Sequence, residues 1–446
     1  MRHARHLDNG KQTARRRRRR RRQPEIPEPQ GSGRPVVLQV LPSLISGGVE
    51  RGTIEVARAL RAAGGTAIVA SSGGPMVKQL RRAGIKHVTL PLKSKNPFTI
   101  WRNIKRLEEI IEAHHVDIVH ARSRAPAWSA MRAARNAGAH FITTFHAAYG
   151  HSSGLKRSYN SVMAMGDVVI AVSDFIARHV ADTYEINPHR LRTIPRGVDV
   201  ATFHPDRVGA KRIKSIVQDW AIATDMPVIV LPGRVSRIKG HRVLVDALSQ
   251  LGREDLTVLM VGPTEDKPAF AKELHKQIEQ AGLGLTIRLV GPTDDMAAIY
   301  AIADLVVCPS LVPEGFGRTV AEAMAMGKPV IVSDQGAPPE LVAHGETGWV
   351  VPAGDADALA DAISRTLSLP EHLLEEMGRR GMQTVQSRFT KDHMCNATLA
   401  LYDELLVASL YDADILIGDT APALSNQSPE HSVGSTIPIP PTDPND

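Results

Sequence analysis

Two cysteines in 446 residues leave no material for a disulfide framework. Cys308 falls in a strand-like run and Cys395 in a helical one, which predicts reduced thiols in a cytoplasmic protein. No apolar run reaches the ~18 residues that a membrane span needs. The basic N-terminus continues as GKQTARRRRRRRRQPEIPEPQGSG, polar throughout, so it lacks the apolar core of a signal peptide. H-E-x-x-H, a cysteine pair and G-x-x-x-x-G-K-[ST] are all missing, and neither a metal nor a cofactor is expected.

Strong charge of one sign is missing from the body of the chain. The formal charge is +7, but residues 1–22 carry +10 and residues 412–446 carry −6, leaving +3 for residues 23–411. The basic balance therefore belongs to a tail, and a nucleic-acid-binding core is not expected.

What is present is a hydrophobic content of 43% and enough length for two domains. Residues 1–34 are too charged and too rich in Pro and Gly to bury a core, and are expected to be disordered. From RPVVLQVLPSL (34–44), continuously apolar strands alternate with amphipathic helices, the pattern of a parallel sheet covered on both faces. The alternation breaks near IPRGVDVATFHPD (194–206) and restarts at MPVIVLPGR (226–234). The expected order is a Rossmann-like domain over 35–200, a linker over 201–225 and a second Rossmann-like domain over 226–388. A helix over 389–411 and an acidic, Pro/Ser-rich tail over 412–446 follow.

Ligands of doubly wound sheets bind beyond the carboxyl ends of the strands, so residues at those ends are the site candidates. PEGFGRTVAEAMAMGKPVIVSD (313–334) follows the strand-like DLVVCPS and places Glu314 before a glycine turn and Glu322 inside a helix. The unpaired amides that open that helix suit a phosphate, and Gly315 and Gly317 allow close backbone approach. Carboxylates on either side suit sugar hydroxyls, so the whole would fit a nucleotide sugar. The plain alternative is that Glu314 caps a turn and Glu322 faces water, although the surrounding A-E-A-M-A-M-G looks buried.

PGRVSRIKGHRVLVDAL (232–248) sets Arg234 and Lys239 on a strand-end loop, where two cations could clamp a diphosphate. Arg237 and Arg242 read as solvated, and the whole loop could be no more than that. GGVER (47–51) is a glycine turn into a helix, a weak anion signal by itself. His120 and His146 each stand at a strand end; on residues alone each reads as a packed histidine.

Together these segments resemble the retaining glycosyltransferases of family 4, which have the GT-B architecture of two Rossmann-like domains facing across a cleft. The resemblance rests on GGVER, VSDFI, IPRGVDVATFHP, GRVSRIKGH and the 313–334 stretch in the family's order, and covers about residues 36–410. It implies a nucleotide-sugar donor (UDP- or GDP-linked), a glycan or glycolipid acceptor, and retention of anomeric configuration. Glu322 would hold the ribose; Glu314, with the amides of Gly315, Phe316 and Gly317, would hold the sugar. Arg234 and Lys239, with amides at Thr319 and Val320, would hold the diphosphate, and the base would lie on backbone around Val290. Gly47 and Gly48 would close over the phosphate, His146 would contact the sugar near its anomeric carbon, and the helix 389–411 would brace the first domain.

The Asp-x-Asp of metal-dependent sugar transferases occurs only as Asp355-Ala-Asp357 and Asp412-Ala-Asp414, in a surface helix and the acidic tail. One departure from the family, Arg196 where asparagine is common, reads as a linker detail of small effect that could alter closure of the cleft.

HAAYGHSSGLKRSYNSVMAMGDVVIAVSD (146–174) is similar to transferases of the lipopolysaccharide core, with Lys156 and Arg157 placed to meet acceptor phosphates or a membrane. The run Arg15–Arg22 would add attraction to anionic lipid, about 1 kcal/mol per residue near the surface, or be a solvated tail. Two rival expectations are a nucleotide-sugar 2-epimerase of the same architecture and a non-catalytic fold tethered to membrane or RNA.

Overall fold

The computed structural model of the chain describes residues 34–418 apart from 46, 151–152, 224 and 266, with side chains through Ala408. The arginine run and residues 419–446 of the acidic tail lie outside the described residues.

Two parallel sheets form, as the alternation predicts. The first contains β1 (Val36–Val40), β2 (Thr66–Ser71), β3 (Lys86–Thr89), β4 (Ile118–Ala121), β5 (His140–Phe145), β6 (Val168–Ala171) and β7 (Leu191–Thr193), in the order β3-β2-β1-β4-β5-β6-β7. The second contains β8 (Val228–Pro232), β9 (Thr257–Val261), β10 (Ile287–Val290), β11 (Leu305–Cys308), β12 (Val330–Ser333) and β13 (Gly348–Val351), in the order β10-β9-β8-β11-β12-β13. Each sheet reverses direction of winding at its centre, between β1 and β4 and between β8 and β11. Those are the points where such folds open a crevice for ligands.

The period-2 geometry of a strand explains why the runs are apolar throughout. In β1, Val37 enters the core on one face and Leu38 and Val40 the core on the other. In β8, Val228 and Val230 face one layer, and Ile229 and Leu231 the opposite one. Helices on both sides bury each strand, so a polar residue on either face would need its own partner.

Two features differ from the sequence reading. Residues 201–225, read as a linker, contain a helix, Ala210–Asp219, whose Ile213, Ile216 and Val217 pack on the second domain's core. The spacing i, i+3, i+4 is that of an amphipathic helix, and burying that stripe is worth more than leaving it in a solvated tether. The C-terminal helix runs Lys391–Gly418, past the expected end at 411 and into the tail. Its Met394, Cys395, Leu401 and Tyr402 are buried with Val37 and Ile54 of the first domain. Both cysteines are free and buried. The Tyr402 hydroxyl meets His120 Nδ1 at 2.7 Å, while His120 Nε2 meets Thr144 Oγ1 at 2.7 Å. His120 is thus a packed, fully partnered residue.

Candidate functional site

The loop from β11 to the helix Arg318–Ala325 carries the site's second-domain half. Its turn is made by Gly317, which adopts φ 89°, a left-handed conformation that favours glycine. Arg318 then opens the helix, so the amides of Thr319 and Val320 fall in a first turn that has no intrahelical acceptors. Gly315 also lets the two domains approach closely. A Cβ there would strike the His146 carbonyl oxygen and stand 3.3 Å from Ala147 Cα. Its own carbonyl accepts a 2.7 Å hydrogen bond from Ser173 Oγ. The glycine loop of the second domain therefore lies directly against the strand-end loops of the first.

Glu314 is held in that loop by Lys239, whose Nζ stands 2.7 Å from Oε1, and by the Ser310 hydroxyl. Lys239 itself crosses Gly233, with Cε 3.7 Å from where a Cβ would stand. Arg234, the next residue, is exposed at the end of β8. Arg237 pairs with Glu273 and stacks over Phe270 with its guanidinium 5.2 Å from the ring centre, while Arg242 donates to Gln277. Those two belong to the domain surface, as the sequence suggests.

Glu322 is buried, with 5% of its surface exposed. Arg318 Nε donates to its carboxylate at 2.9 Å, and the Tyr300 hydroxyl reaches it at 3.4 Å. Burial nevertheless holds its pKa above the ordinary carboxylate value, against the pull of Arg318 and Arg51. Glu322 and Arg318 line an interdomain cleft of about 730 Å³ together with Arg51 and Glu55 from the first domain, Asp199 of the connecting segment and Thr293 from the second domain. Thr293 follows shortly after Val290, the half-buried last residue of β10. The side chain of Phe316 turns away from the cleft into the second core, edge-on to Phe389 at 5.8 Å between centres. Only its backbone is left for a ligand.

In the first domain, Gly47 takes φ 127° at the turn and Gly48 opens the helix Gly48–Ala62. Arg196 is more than the linker detail that its sequence suggests. It is 7% exposed and buried behind the first domain's strand-end loops, donating through Nη2 to the Gly48 carbonyl and through Nη1 to His146 Nδ1 at 3.3 Å. The residue follows β7 by three positions, where nothing local marks it; only its departure from the family asparagine does. The His146 Nε2 is buried and has no protein partner. Burial, with Arg122, Arg196 and His120 nearby, holds the imidazole pKa well below its usual value, so the ring is neutral at pH 7.

Of the expected residues, His146, Gly315, Glu314 and Lys239 come together at the domain junction, Glu322 borders the adjoining cleft, and Val290 ends the strand that leads to its Thr293. Asp355 is a helix cap, accepting from the Ala358 amide at 2.9 Å. Among the described residues no three His, Cys, Asp or Glu form a group that could hold a metal ion.

Comparison with known proteins agrees with this architecture. The family described as Glycosyltransferase Family 4 matches residues 46–202, and that described as Glycosyl transferases group 1 matches residues 212–384. A glycosyltransferase from Rickettsia africae ESF-5, solved by crystallography, is 38% identical with a TM-score of 0.79, covering 84% of this chain and 99% of that one. The lipopolysaccharide core biosynthesis mannosyltransferase LpcC of Rhizobium leguminosarum bv. viciae is 35% identical over 54% of this chain and 65% of its own. HepE of Anabaena, crystallised with UDP, shares the fold at 22% identity and a TM-score of 0.73, covering 83% of this chain and 100% of its own.

The chain belongs to the family 4 glycosyltransferases and has their GT-B fold of two Rossmann-like domains. Its sequence alignments with the first curated relatives span 59% to 66% of those proteins' length.

Proposed function

We propose that this protein transfers a sugar from a UDP- or GDP-sugar to a glycan or glycolipid acceptor with retention of configuration, in lipopolysaccharide core or other cell-surface glycan synthesis. The observation that carries the reading is the meeting of Lys239, Glu314 and the glycine loop with His146, beside a cleft bordered by Glu322. A nucleotide sugar has an anionic middle and hydroxylated ends, and the residues are assigned to it in that order. Glu322 takes the ribose hydroxyls and the backbone past Val290 takes the base. The amides of Thr319 and Val320, with Lys239 and Arg234, take the diphosphate. Glu314 takes sugar hydroxyls, and His146 lies over the anomeric carbon.

In the transfer, the bond between C1 and the diphosphate oxygen breaks while the acceptor oxygen forms its bond to C1 on the same face. The departing diphosphate oxygen receives the acceptor's proton. Lys239, Arg234 and the helix amides offset the charge that grows on the leaving group, the kind of fixed electrostatics that supplies most rate enhancement. The neutral His146 adds no positive charge beside a sugar becoming cationic.

A thermal-shift screen with UDP, GDP and ADP tests the donor class; the UDP in HepE makes it the first to try. Binding to the native state alone adds ~2.7 kcal/mol at a hundredfold excess over Kd. The response should vanish in Glu322→Ala, and an unchanged shift there would remove the ribose assignment. Mass analysis of donor with and without glycan acceptors then separates transfer from 2-epimerisation, since an epimerase consumes donor alone.

A lipopolysaccharide-core acceptor, the class that LpcC's name gives, would bring the protein to the cytoplasmic face of a membrane. No helix among the described residues is long and apolar enough to cross one. Phe98 and Trp101 stand 63% and 67% exposed on the first domain, with Arg102 and Lys105 beside them, a surface suited to anionic lipid. Co-sedimentation with phosphatidylglycerol vesicles should drop in a Phe98→Ser/Trp101→Ser variant; equal pelleting would remove the membrane contact.

A further inference from the structure

The contact between Arg196 and His146 fixes more than position. A guanidinium only donates hydrogen bonds, so the 3.3 Å contact from Nη1 makes His146 Nδ1 the acceptor. The single proton of a neutral imidazole then sits on Nε2, the nitrogen that no protein atom partners. We infer that Arg196 is a positioning residue: it sets His146 as a neutral Nε2–H donor and ties that donor to the Gly48 turn. The inference rests on the donor-site reading for its purpose, but not for its geometry.

Three further observations carry it. Arg196 Nη2 bonds the Gly48 carbonyl, so one side chain clamps two loops that close on the donor from the first domain. The helix Gly48–Ala62 carries Gly52 in its interior, a placement that costs about 0.5–1 kcal/mol relative to alanine. A Cβ at Gly52 would stand 2.7 Å from Arg196 Nη2 and 3.3 Å from Arg122 Nη2, so the glycine makes room for the buried guanidinium. Arg196 also remains charged: burial, Arg318 and Arg122 press its pKa to about 9, while Glu55 and Glu50 push it back up.

The groups around His146 all favour the neutral ring. Arg122 and His120 act on it from β4 and its end, and Arg196 from the segment after β7. Glu50 and Glu55 of the helix Gly48–Ala62 act on Arg196, and Glu55 also on Arg122. From the C-terminal helix, Tyr402 and Cys395 act on Arg122, and burial keeps both protonated, the thiol near 12. An imidazolium at this place would oppose positive charge developing on a nearby sugar, and the flipped tautomer would set an Nδ1–H against the Arg196 guanidinium, donor against donor.

The test uses the full chain labelled with ¹⁵N-histidine, the His146 signals being identified by their loss in His146→Gln. In the parent, ring ¹⁵N shifts should report a proton on Nε2 and no titration from pH 8 down to about pH 5. Arg196→Met, which keeps volume but removes donor and charge, should mix the two tautomers and raise the pKa by about 1 unit or more. Arg196→Lys, still a cationic donor, should restore both readouts. A melting curve on each variant shows whether it is folded. Parental tautomer and titration in folded Arg196→Met would overturn the inference, whatever the protein transfers. If both change while His146→Gln turns over UDP-glucose or GDP-mannose as the parent does, the positioning stands and the sugar contact falls. If His146 does contact the sugar, the acid loss of turnover in Arg196→Met should begin about 1 pH unit or more above the pH at which the parent's begins, following its raised imidazole pKa.

Discussion

Lys239 Nζ and Glu314 Oε1 stand 2.7 Å apart, joining the loop after β8 to the loop after β11. Each side chain keeps only about a fifth to a quarter of its surface, 25% for the lysine and 20% for the glutamate. The pair fixes in advance two groups that the proposed reaction uses separately, one toward diphosphate and one toward sugar.

Lys239→Met should therefore do more than delete a phosphate contact, because it leaves Glu314 half-buried without its cation. We expect kcat to fall by 10²–10³-fold, the usual cost of a lost charge-stabilising donor. Glu314→Gln in the same chain should recover part of that loss, since the uncompensated charge is gone. Steady-state kinetics of the two single variants and the double variant measure the coupling; simple additivity would mean the pair is only a surface contact.

Glu322 gives the nucleotide affinity a pH dependence of known sign. Its pKa is raised by burial, so protonation begins above the ordinary carboxylate range as pH falls. A protonated carboxyl loses acceptor capacity toward ribose hydroxyls, so affinity should weaken on acidification. Because the native state binds this proton more tightly than the unfolded chain, stability from this group is present at low pH and is lost as pH rises through the native pKa. Titration calorimetry with UDP at pH 5 and pH 8 checks the first effect, and Glu322→Gln should show none of it.

Much of the fold and half of the site are legible in the amino-acid order alone. Continuous apolar strands can only be covered on both faces, and a helix reading A-E-A-M-A-M-G can only bury its glutamate. The role of Arg196 is not legible there, because its neighbours, Gly48 and His146, are 148 and 50 residues away. For Phe316 the sequence offers a role only to the backbone amide; that its ring packs under Phe389, which returns from the far end of the chain, is not legible. The helix Ala210–Asp219 has a legible spacing, but the breaks on either side of it make the segment resemble a linker.

Glu340 fastens the two domains. It lies on the second domain's short helix Pro338–Leu341, and its carboxylate accepts from the amides of Asp174, at 3.0 Å, and Phe175. Arg178 Nη2 joins it at 3.3 Å. A carboxylate at the start of the first domain's helix Asp174–Tyr184 satisfies orphan amides and its dipole, a contribution of about 0.5–2 kcal/mol. Glu340→Ala should widen the particle in small-angle scattering and raise the donor KM with little change in kcat. An unchanged scattering profile would show that the contact does not hold the domains.

The Tyr402–His120 hydrogen bond does for the C-terminal helix what Glu340 does across the cleft. Both side chains are fully buried, and His120 is held neutral by that burial and by Arg122. Its two nitrogens are already committed, to Tyr402 and Thr144, at 2.7 Å each. Tyr402→Phe keeps the ring and its packing but leaves Nδ1 buried with no partner. An unmade buried bond costs about 1–3 kcal/mol, far more than the removed hydroxyl would suggest. We expect a lower Tm and earlier protease cleavage within Lys391–Gly418, because the helix is anchored at few other polar points. His120→Phe in the same chain should give back part of the loss by removing the orphaned nitrogen along with the hydroxyl. Equal melting of Tyr402→Phe and the parent would mean that apolar packing alone seats the helix on the first domain.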